Sequence, residues 1–336
     1  MSTPAGKPPL WKRAVSFWLA HEPIRHARWE LIFLRLVLAI LFWDIHTAWL
    51  PFRKDPVRAL AQMATLSPQT DLKYDQLPHP NGFAMFVDLS FLANDSVEKP
   101  LNAATGVSLV LFVIGVPAAF SLAIPALFGI AMTTVINSQG AIGHNAQGLQ
   151  LVLLVMWLAG LWALWCKTRG RPLPWNFTPG QLELDWARQG LMAAYVTSAV
   201  TKVVNSDGNW LSDARFFPLH MVKNNDMEFY DTLNAAAQKI DWLPQMLMDH
   251  PVVCIFFFGL ALPLELFAFL GLYNRRIALL FGLGLIGFHE SVSLLTNLAF
   301  IFNKLLLLFL FVSPQYWLVE GVRKVIPGRS ATRAQV

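Results

Sequence analysis

Charged residues are scarce in this sequence, and their scarcity is the first guide to its class. They make up 14% of the 336 residues, whereas a soluble domain usually carries about a quarter. A soluble globular fold is therefore not expected. The chain also has no HExxH zinc motif, no Walker phosphate loop and no GxSxG nucleophile motif, so it lacks the sequence signs of the enzyme sites that those motifs build.

Cysteine and histidine are too few for two other common kinds of site. The two cysteines, Cys166 and Cys254, fall at opposite membrane faces in the topology derived below, so we expect no disulfide between them. His144 and His289 alone do not make a set of metal ligands, and no metal is expected. Nucleic acid is not an expected partner either, because the basic residues behind the pI of about 9.3 are not gathered in one patch.

Long apolar runs are what the chain has in abundance. Hydrophobic residues make up 55% of it, and a helix needs about 20 mainly apolar residues to cross a bilayer. The runs are continuous and do not alternate with period two, which favours helices. The sequence therefore predicts an all-α, polytopic integral membrane bundle of about eight transmembrane helices. The candidate spans lie near 30–50, 103–119, 120–138, 145–166, 187–204, 251–272, 274–292 and 296–314.

The distribution of lysine and arginine predicts the orientation of this bundle. Short cytoplasmic loops collect these residues, and alternate loops hold 15 of them on one side and 8 on the other. We therefore expect both termini to be cytoplasmic, with the long polar loops 51–102 and 205–250 at the outer face.

The expected organisation along the chain has three parts. Residues 29–317 form the transmembrane domain, and residues 318–336 form a basic cytoplasmic tail. Residues 1–28 allow two interpretations: an amphipathic segment lying in the headgroup layer, or a helix packed on the end of the bundle.

Lys202 is the most informative single residue. It lies in the stretch AAYVTSAVTKVVNSDGNW (193–210), where an apolar helix meets a polar bend that closes on Trp210. A lysine partly withdrawn from water can serve as a general base. The alternative is a snorkelling lysine, whose stem covers hydrocarbon while its ammonium reaches the headgroups.

Two histidines fall near the same predicted outer face as Lys202. Polar groups at membrane depth tend to mark functional cavities. His144 can instead cap a helix end, and His289 can pair with Glu290 or Ser293 or hydrogen-bond a neighbouring helix. Both interpretations stay open for each histidine.

Four further charges are predicted to lie inside the membrane. Two acids and two bases suggest ion pairs between spans one, six and eight that fix how these helices pack. The four are Arg35, Asp44, Glu265 and Lys304.

Three segments resemble one known family in order along the chain. VTSAVTKVVNSDGNWLSDARFFPLHMV (196–222) resembles the lysine-ended helix of vitamin K-dependent gamma-carboxylase. HNAQGLQLVLL (144–154) is similar to the histidine segment of that enzyme, and the block from Pro263 to Trp317 is similar to its later helices. The likeness covers about residues 25–317 and is that of the HTTM superfamily, the carboxylase-like transmembrane module.

The resemblance implies roles for several of these residues. Lys202 would be the base that deprotonates reduced vitamin K or another quinol, after which oxygen adds and the resulting alkoxide removes a proton from a glutamate side chain, which takes up carbon dioxide. His144 would assist as acid or base. His289, Trp210 and Asn145 would line the pocket for the quinol-like molecule or a membrane lipid.

Two functions from different classes remain open at this point. The first is a carboxylase-like quinol-oxidising enzyme in a bacterial inner membrane, with its active face towards the periplasm. The second is a non-catalytic membrane subunit that binds a lipid or a partner protein. The family's carboxylase continues into a lumenal substrate-binding portion that this sequence lacks after its last span, so a partner protein would have to replace it.

Overall fold

All regular secondary structure in the described part of the chain is helical. The structure is a computed structural model that describes residues 17–47, 80–138, 146–232, 242–296 and 298–325. The all-α prediction is confirmed for these residues. The α-helices are α1 (Arg28–Thr47), α2 (Asp95–Val113), α3 (Ala118–Ser121), α4 (Ala123–Asn137), α5 (Gln147–Thr168), α6 (Pro179–Asn205), α7 (Trp210–Asp213), α8 (Phe217–Thr232), α9 (Trp242–Asp249), α10 (Pro251–Gly259), α11 (Ala261–Leu266), α12 (Arg275–Thr296), α13 (Ile301–Leu307) and α14 (Pro314–Val325).

Short tighter or wider helical turns join some of these elements. They comprise 3₁₀ turns at Gly82–Met85, Ser90–Ala93, Pro174–Asn176, Ala214–Phe216 and Ala268–Leu272, and a π-turn at Leu308–Val312.

Four helical stretches are long and apolar enough to cross a membrane. They coincide with four of the eight predicted spans and indicate an integral membrane protein. A fifth crossing is possible if α9 and the α10–α11 stretch, which meet at a bend of 103°, together form one broken span. The four are Ala118–Asn137, Gln147–Thr168, Arg275–Thr296 and Ile301–Val322.

The chain folds into two compact units. The first unit comprises His26–Leu191 and Phe300–Leu306, and the second comprises Met1–Arg25, Met192–Ala299 and Leu307–Val336. The helix α6 thus begins in the first unit and ends in the second.

In the first unit, α3 and α5 pack closely because a glycine faces backbone. Gly160 on α5 lies so near Ala118 and Ala119 that any Cβ at this position would overlap their backbone atoms. Small residues of this kind let helices approach without a hydrophobic driving force. The indole Nε1 of Trp157 donates to the Ala119 carbonyl at 3.0 Å, so a polar contact supports the same junction.

The first turn of α6 is held by a reciprocal pair of hydrogen bonds. The Gln181 amide N–H donates to the Thr178 hydroxyl at 3.3 Å, and the Thr178 amide N–H donates to Gln181 Oε1 at 3.0 Å. This is the capping-box pattern, a Ser or Thr followed three residues later by Glu or Gln, which satisfies the free N–H groups of a first turn.

Arg35 ties three segments of the first unit together, and its partner differs from the one predicted. Its guanidinium lies 2.7 Å from Glu183 Oε2 on α6 and donates to the Phe112 carbonyl at the end of α2 at 3.4 Å. The expectation that Arg35 pairs with an acid of span one or six is therefore wrong. An arginine fork can serve a carboxylate and a carbonyl together, and the buried Glu183 is the acid that packing brings within reach.

Within the second unit, the N-terminal residues are held against the start of α12. Asn274 donates through Nδ2 to the carbonyls of Trp18 and Ala20, at 2.8 and 2.9 Å. Its Oδ1 accepts from the amide N–H groups of Arg276 and Ile277, at 3.0 and 2.9 Å. Residues 17–19 are helical and residues 20–27 are not. Residues 1–16 lie outside the described residues, so the two interpretations of the N-terminal segment are not tested.

Candidate functional site

The end of α6 turns back on itself and brings Trp210 next to Lys202. After Asn205, Asp207 and Gly208 adopt left-handed backbone angles, with φ of +49° and +80°. The Gly208 amide N–H donates to the Val203 carbonyl at 2.9 Å, which closes a Schellman-type helix end. The predicted polar bend is thus confirmed, and its tight geometry explains the return of the chain.

Lys202 forms an ion pair with Glu265 of α11. The distance between Nζ and Oε2 is 2.5 Å, and the side chains are 23% and 4% exposed. The Lys202 ammonium also lies over two aromatic rings, 5.4 Å from the centre of the Trp210 ring and 5.6 Å from that of Phe288. A cation so placed is attracted by the ring faces. The Lys202 ammonium therefore interacts both with a carboxylate and with two aromatic rings.

This arrangement corrects the prediction for Glu265 and adds to the one for Lys202. Glu265 was expected to be a structural charge paired with span one or eight, and its partner is instead Lys202. Ser198, one turn before Lys202 on α6, is the next polar residue on the same helix face. Neither sequence interpretation of Lys202, free base or snorkelling cation, included a carboxylate partner.

A second buried polar contact joins α6 to α12. The Tyr195 hydroxyl on α6 and Nε2 of His289 on α12 are 2.7 Å apart, and both side chains are buried. His289 therefore hydrogen-bonds a neighbouring helix, one of the options predicted for it. Tyr195, Ser198 and Lys202 follow the i, i+3, i+7 spacing of one helix face, so that face carries every polar side chain of α6 in the site.

An apolar cavity of about 320 Å³ adjoins the charge pair. Its walls come from α9, α10, α11 and α12, and the only hydroxyl on them, Ser291, donates to the Gly287 carbonyl at 2.9 Å. Phe288 belongs both to the cavity wall and to the rings around Lys202. Leu264, beside Glu265 in the chain, is also on the wall. Lys202 and Glu265 are not among the described lining residues, so Phe288 and Leu264 are the residues that connect the cavity to the pair.

The remaining predicted residues have different outcomes. His144 and Asn145 lie outside the described residues, so the predicted approach of His144 to Lys202 is not tested. Asp44 is buried and Lys304 is half-buried, and their predicted position inside the membrane is not tested. Both predicted cysteines are free and buried.

The comparisons with known proteins give no family for this chain. No family model, no curated protein and no solved structure matches it. The function of the chain is therefore inferred from the site itself.

Neither a metal-ligand cluster nor a dinucleotide-binding turn is present among the described residues. Within the described ranges, no group of three or more His, Cys, Asp or Glu residues is arranged to hold a metal ion. The stretch Gly282–Gly287 has the spacing GxGxxG, but it lies in the middle of α12 and not at a strand-to-helix turn, so it cannot present backbone N–H groups to a pyrophosphate.

The sequence analysis missed three members of the site, Tyr195, Ser198 and Phe288. Tyr195 and Ser198 are seven and four residues before Lys202, and this spacing on one helix face was the available signal. Phe288 had no such signal, because phenylalanine is common throughout the chain, with 25 copies.

Proposed function

We propose that this chain is a carboxylase-like membrane enzyme of the HTTM type that acts on a reduced quinone-type lipid with Lys202 as general base. The observation that carries the proposal is the contact between Lys202 and Glu265, 2.5 Å apart beside an apolar cavity of about 320 Å³. The proposal also draws on the resemblance of residues 196–222 and 263–317 to the carboxylase family.

The described residues fit a flat aromatic head group of this kind. Ligand sites are mostly apolar clefts of about 300–1,000 Å³ with a few placed polar groups, and this cavity is at the lower end of that range. Phe257, Phe258 and Phe288 on its wall offer faces for ring stacking. A quinol supplies an ionisable hydroxyl on an aromatic ring, and the charge pair is the polar group that such a hydroxyl needs.

Lys202 and Glu265 can share the proton work between them. When a proton moves from Lys202 Nζ to Glu265 Oε2, the ion pair becomes a neutral amine and a carboxylic acid. The amine can then take the hydroxyl proton of the bound quinol, and the ammonium that forms stays beside the oxygen that has lost it. Glu265 retains the other proton, so charge balances without any ion entering the cavity.

The second part of the proposal concerns topology and location. We propose eight spans with both termini cytoplasmic and the Lys202 end of α6 facing the periplasm of a bacterial inner membrane. The imbalance of lysine and arginine between alternate loops supports this orientation. His144 and Asn145, in the outer loop of this topology, are proposed as acid–base partner and pocket residue on the resemblance alone.

The enzyme proposal is tested by replacing Lys202 with arginine and with alanine. Lys202→Arg keeps a cation for Glu265 but cannot act as a neutral amine, so the protein should fold while turnover falls. General base catalysis contributes about 10²- to 10⁴-fold, and a loss of this size is expected. The measurement is epoxidation of reduced vitamin K by the purified full-length protein in proteoliposomes.

Lys223→Arg provides the matched control, because Lys223 is an exposed lysine on α8 of the same unit. It should leave turnover unchanged. Wild-type turnover that survives unchanged in both Lys202 variants would remove the proposal that Lys202 is the base.

The second candidate is a non-catalytic membrane subunit that holds a lipid or a partner protein. One observation favours it: Lys202 and His289, the residues expected to do chemistry, each have a partner that gives them a structural role, Glu265 and Tyr195. Under this function the wild-type protein binds a quinone-type lipid saturably in the same proteoliposomes and turns none of it over. A protein partner would then supply the substrate-binding portion of the family's carboxylase.

A further inference from the structure

Two arginines at the start of α12 each lie over an aromatic ring. The guanidinium carbon of Arg275 is 3.9 Å from the centre of the Tyr316 ring on α14, and that of Arg276 is 3.5 Å from the centre of the Phe17 ring. Each also donates to a backbone carbonyl, Arg275 to that of Arg25 at 2.6 Å and Arg276 to that of Phe17. All of these residues belong to the second unit.

The contacts of Arg276 leave part of its guanidinium group open to an anion. At 3.5 Å from the ring centre the group presents its flat face to Phe17, so its N–H bonds, which lie in the guanidinium plane, do not point into the ring. Arginine carries five N–H donors, and among the described residues the only acceptor for those of Arg276 is the Phe17 carbonyl. A planar fork of this kind is suited to paired hydrogen bonds with a phosphate.

The three stretches of sequence to which these contacts belong carry an excess of positive charge. Residues 1–25 hold four lysines and arginines, residues 273–276 hold two and residues 314–336 hold four. The same stretches hold two acids, Glu22 and Glu320. A cluster of basic residues next to a membrane-spanning helix attracts anionic lipid head groups.

The two arginines also lie at the end of stretches that are long and apolar enough to cross a membrane. Arg275 begins one of these, Arg275–Thr296, and Tyr316 lies near the end of another, Ile301–Val322. Because Arg275 contacts Tyr316, the two stretches end at the same level, where the phosphates of a bilayer would be.

Exposed apolar and aromatic side chains accompany the positive charge. Phe17, Trp18 and Tyr273 are exposed, and so are Leu318 and Val322, which lie one turn apart on α14. Tryptophan and tyrosine are enriched where a membrane meets water, and an amphipathic helix buries its apolar face in the headgroup layer. Cations beside exposed apolar groups match a lipid, which carries a phosphate and hydrocarbon in one molecule.

We propose that the surface at the start of α12 binds an anionic phospholipid of the leaflet in which this helix begins. The guanidinium groups of Arg275 and Arg276 hold the phosphate, and the exposed side chains of Trp18, Leu318 and Val322 lie against the acyl chains. The site is independent of Lys202 and of the function proposed above.

The test measures lipid binding to the full-length protein in a nonionic detergent. Native mass spectrometry counts the bound lipids as phosphatidylglycerol, which is anionic, or phosphatidylcholine with the same acyl chains, which has no net charge, is added. Phosphatidylglycerol should bind more tightly. Arg275→Gln combined with Arg276→Gln should weaken its binding by about 25-fold, since each basic residue at a charged membrane surface contributes about a factor of five. Phosphatidylcholine binding should not change.

Salt separates attraction by charge from attachment of the N-terminal residues. Raising the salt concentration from about 0.05 to about 0.5 M screens charges, so the difference between the wild type and the glutamine variant should shrink. A difference that is the same at both concentrations would mean that the arginines act only by holding residues 17–25 in place, and this overturns the proposal. Equal wild-type affinity for the two lipids overturns it as well, as does a glutamine variant that binds phosphatidylglycerol like the wild type.

A second variant decides the question if the glutamine variant does not fold. Arg275→Lys combined with Arg276→Lys keeps both charges and loses the planar fork, so its phosphatidylglycerol affinity should fall by about fivefold. An affinity equal to that of the wild type would overturn the role of the guanidinium groups. Arg215→Gln is the matched control, because Arg215 is an exposed arginine of the same unit that lies 4.7 Å from the centre of the Phe216 ring. It should leave phosphatidylglycerol binding unchanged.

Discussion

At the scale of single residues, two buried carboxylates organise their surroundings by recruiting cations from other helices. Glu183 meets Arg35, 148 residues earlier in the chain, and Glu265 meets Lys202, 63 residues earlier. A carboxylate buried inside a protein is costly unless it is paired. Each pair therefore fixes the position of one helix along its neighbour, which hydrophobic packing alone would not specify.

The Arg35–Glu183 pair gives a direct test of this role in the first unit. The two side chains are 13% and 1% exposed, so Arg35→Ala leaves Glu183 buried without its cation. We expect the free energy of unfolding to fall by about 3–5 kcal/mol. Reversible unfolding in mixed micelles measures the change.

Two further variants and one control sharpen this test. The double variant Arg35→Met with Glu183→Leu should recover most of the loss, because it removes both charges and keeps their volume. Arg28→Ala, at an exposed arginine of the same helix, should change stability by less than about 0.5 kcal/mol. If the double variant were as unstable as Arg35→Ala, burial of an unpaired charge would not be the cause.

At the scale of the elements, Asn274 both caps the start of α12 and attaches the N-terminal residues to it. Its oxygen caps the helix by accepting from Arg276 and Ile277, and its nitrogen holds the backbone at Trp18 and Ala20. Arg275 adds a hydrogen bond to the Arg25 carbonyl at 2.6 Å. The N-terminal residues are thus attached to this helix mainly through backbone carbonyls, a contact that depends little on their side chains.

Substitution of Asn274 can separate its capping role from its attachment of the N-terminal residues. Asn274→Asp keeps the capping oxygens and removes both N–H donors, so α12 should persist while the N-terminal residues detach. Trypsin should then cleave after Arg25 about tenfold faster, since neutral hydrogen bonds are worth roughly 0.5–1.5 kcal/mol each. The cleavage rate is followed by mass spectrometry.

Asn274→Ala removes both the cap and the attachment, and should also lower the free energy of unfolding by about 1 kcal/mol because the cap is lost. Tyr273→Phe loses only the hydrogen bond from its hydroxyl to the Leu19 carbonyl and should have a smaller effect on cleavage. Equal cleavage rates for Asn274→Asp and the wild type would show that other contacts attach the segment.

At the scale of the whole molecule, α6 is the helix that most needs a topology test. It has 27 residues and is about 40 Å long at 1.5 Å per residue, enough to cross a bilayer. It is nevertheless absent from the helices that qualify by length and composition. The Lys202 site faces the periplasm only if α6 crosses.

Single cysteines on either side of α6 decide this point. In a background with Cys166 and Cys254 replaced by alanine, Arg171→Cys and Asp207→Cys place thiols at exposed positions before and after the helix. A membrane-impermeant maleimide applied to intact spheroplasts should label the cysteine at position 207 and leave the one at 171 unlabelled until the membrane is opened. Equal labelling of both in intact cells would contradict the proposed eight-span topology.

Several features of the molecule follow directly from local sequence. The all-α class and the four helices that are apolar enough to span a membrane were predictable, because hydropathy over about 20 residues is a local property. The bend after Lys202 was predictable too, since the run Asn-Ser-Asp-Gly-Asn has the residues that a left-handed helix end requires. The burial of Asp44 and Glu265 follows from their place inside apolar runs.

What only the tertiary structure decided is which of these residues meet. The sequence predicted that Arg35 and Glu265 take part in ion pairs between spans one, six and eight. In the structure Arg35 pairs with Glu183, and Glu265 pairs with Lys202. The number and sign of the charges were present in the sequence, but a charge pairs with whatever opposite charge packing brings within about 4 Å, and packing depends on the shapes of all the side chains along both helices. For the same reason the cavity beside Lys202 leaves no local pattern in the chain, because it exists only as a gap between helices.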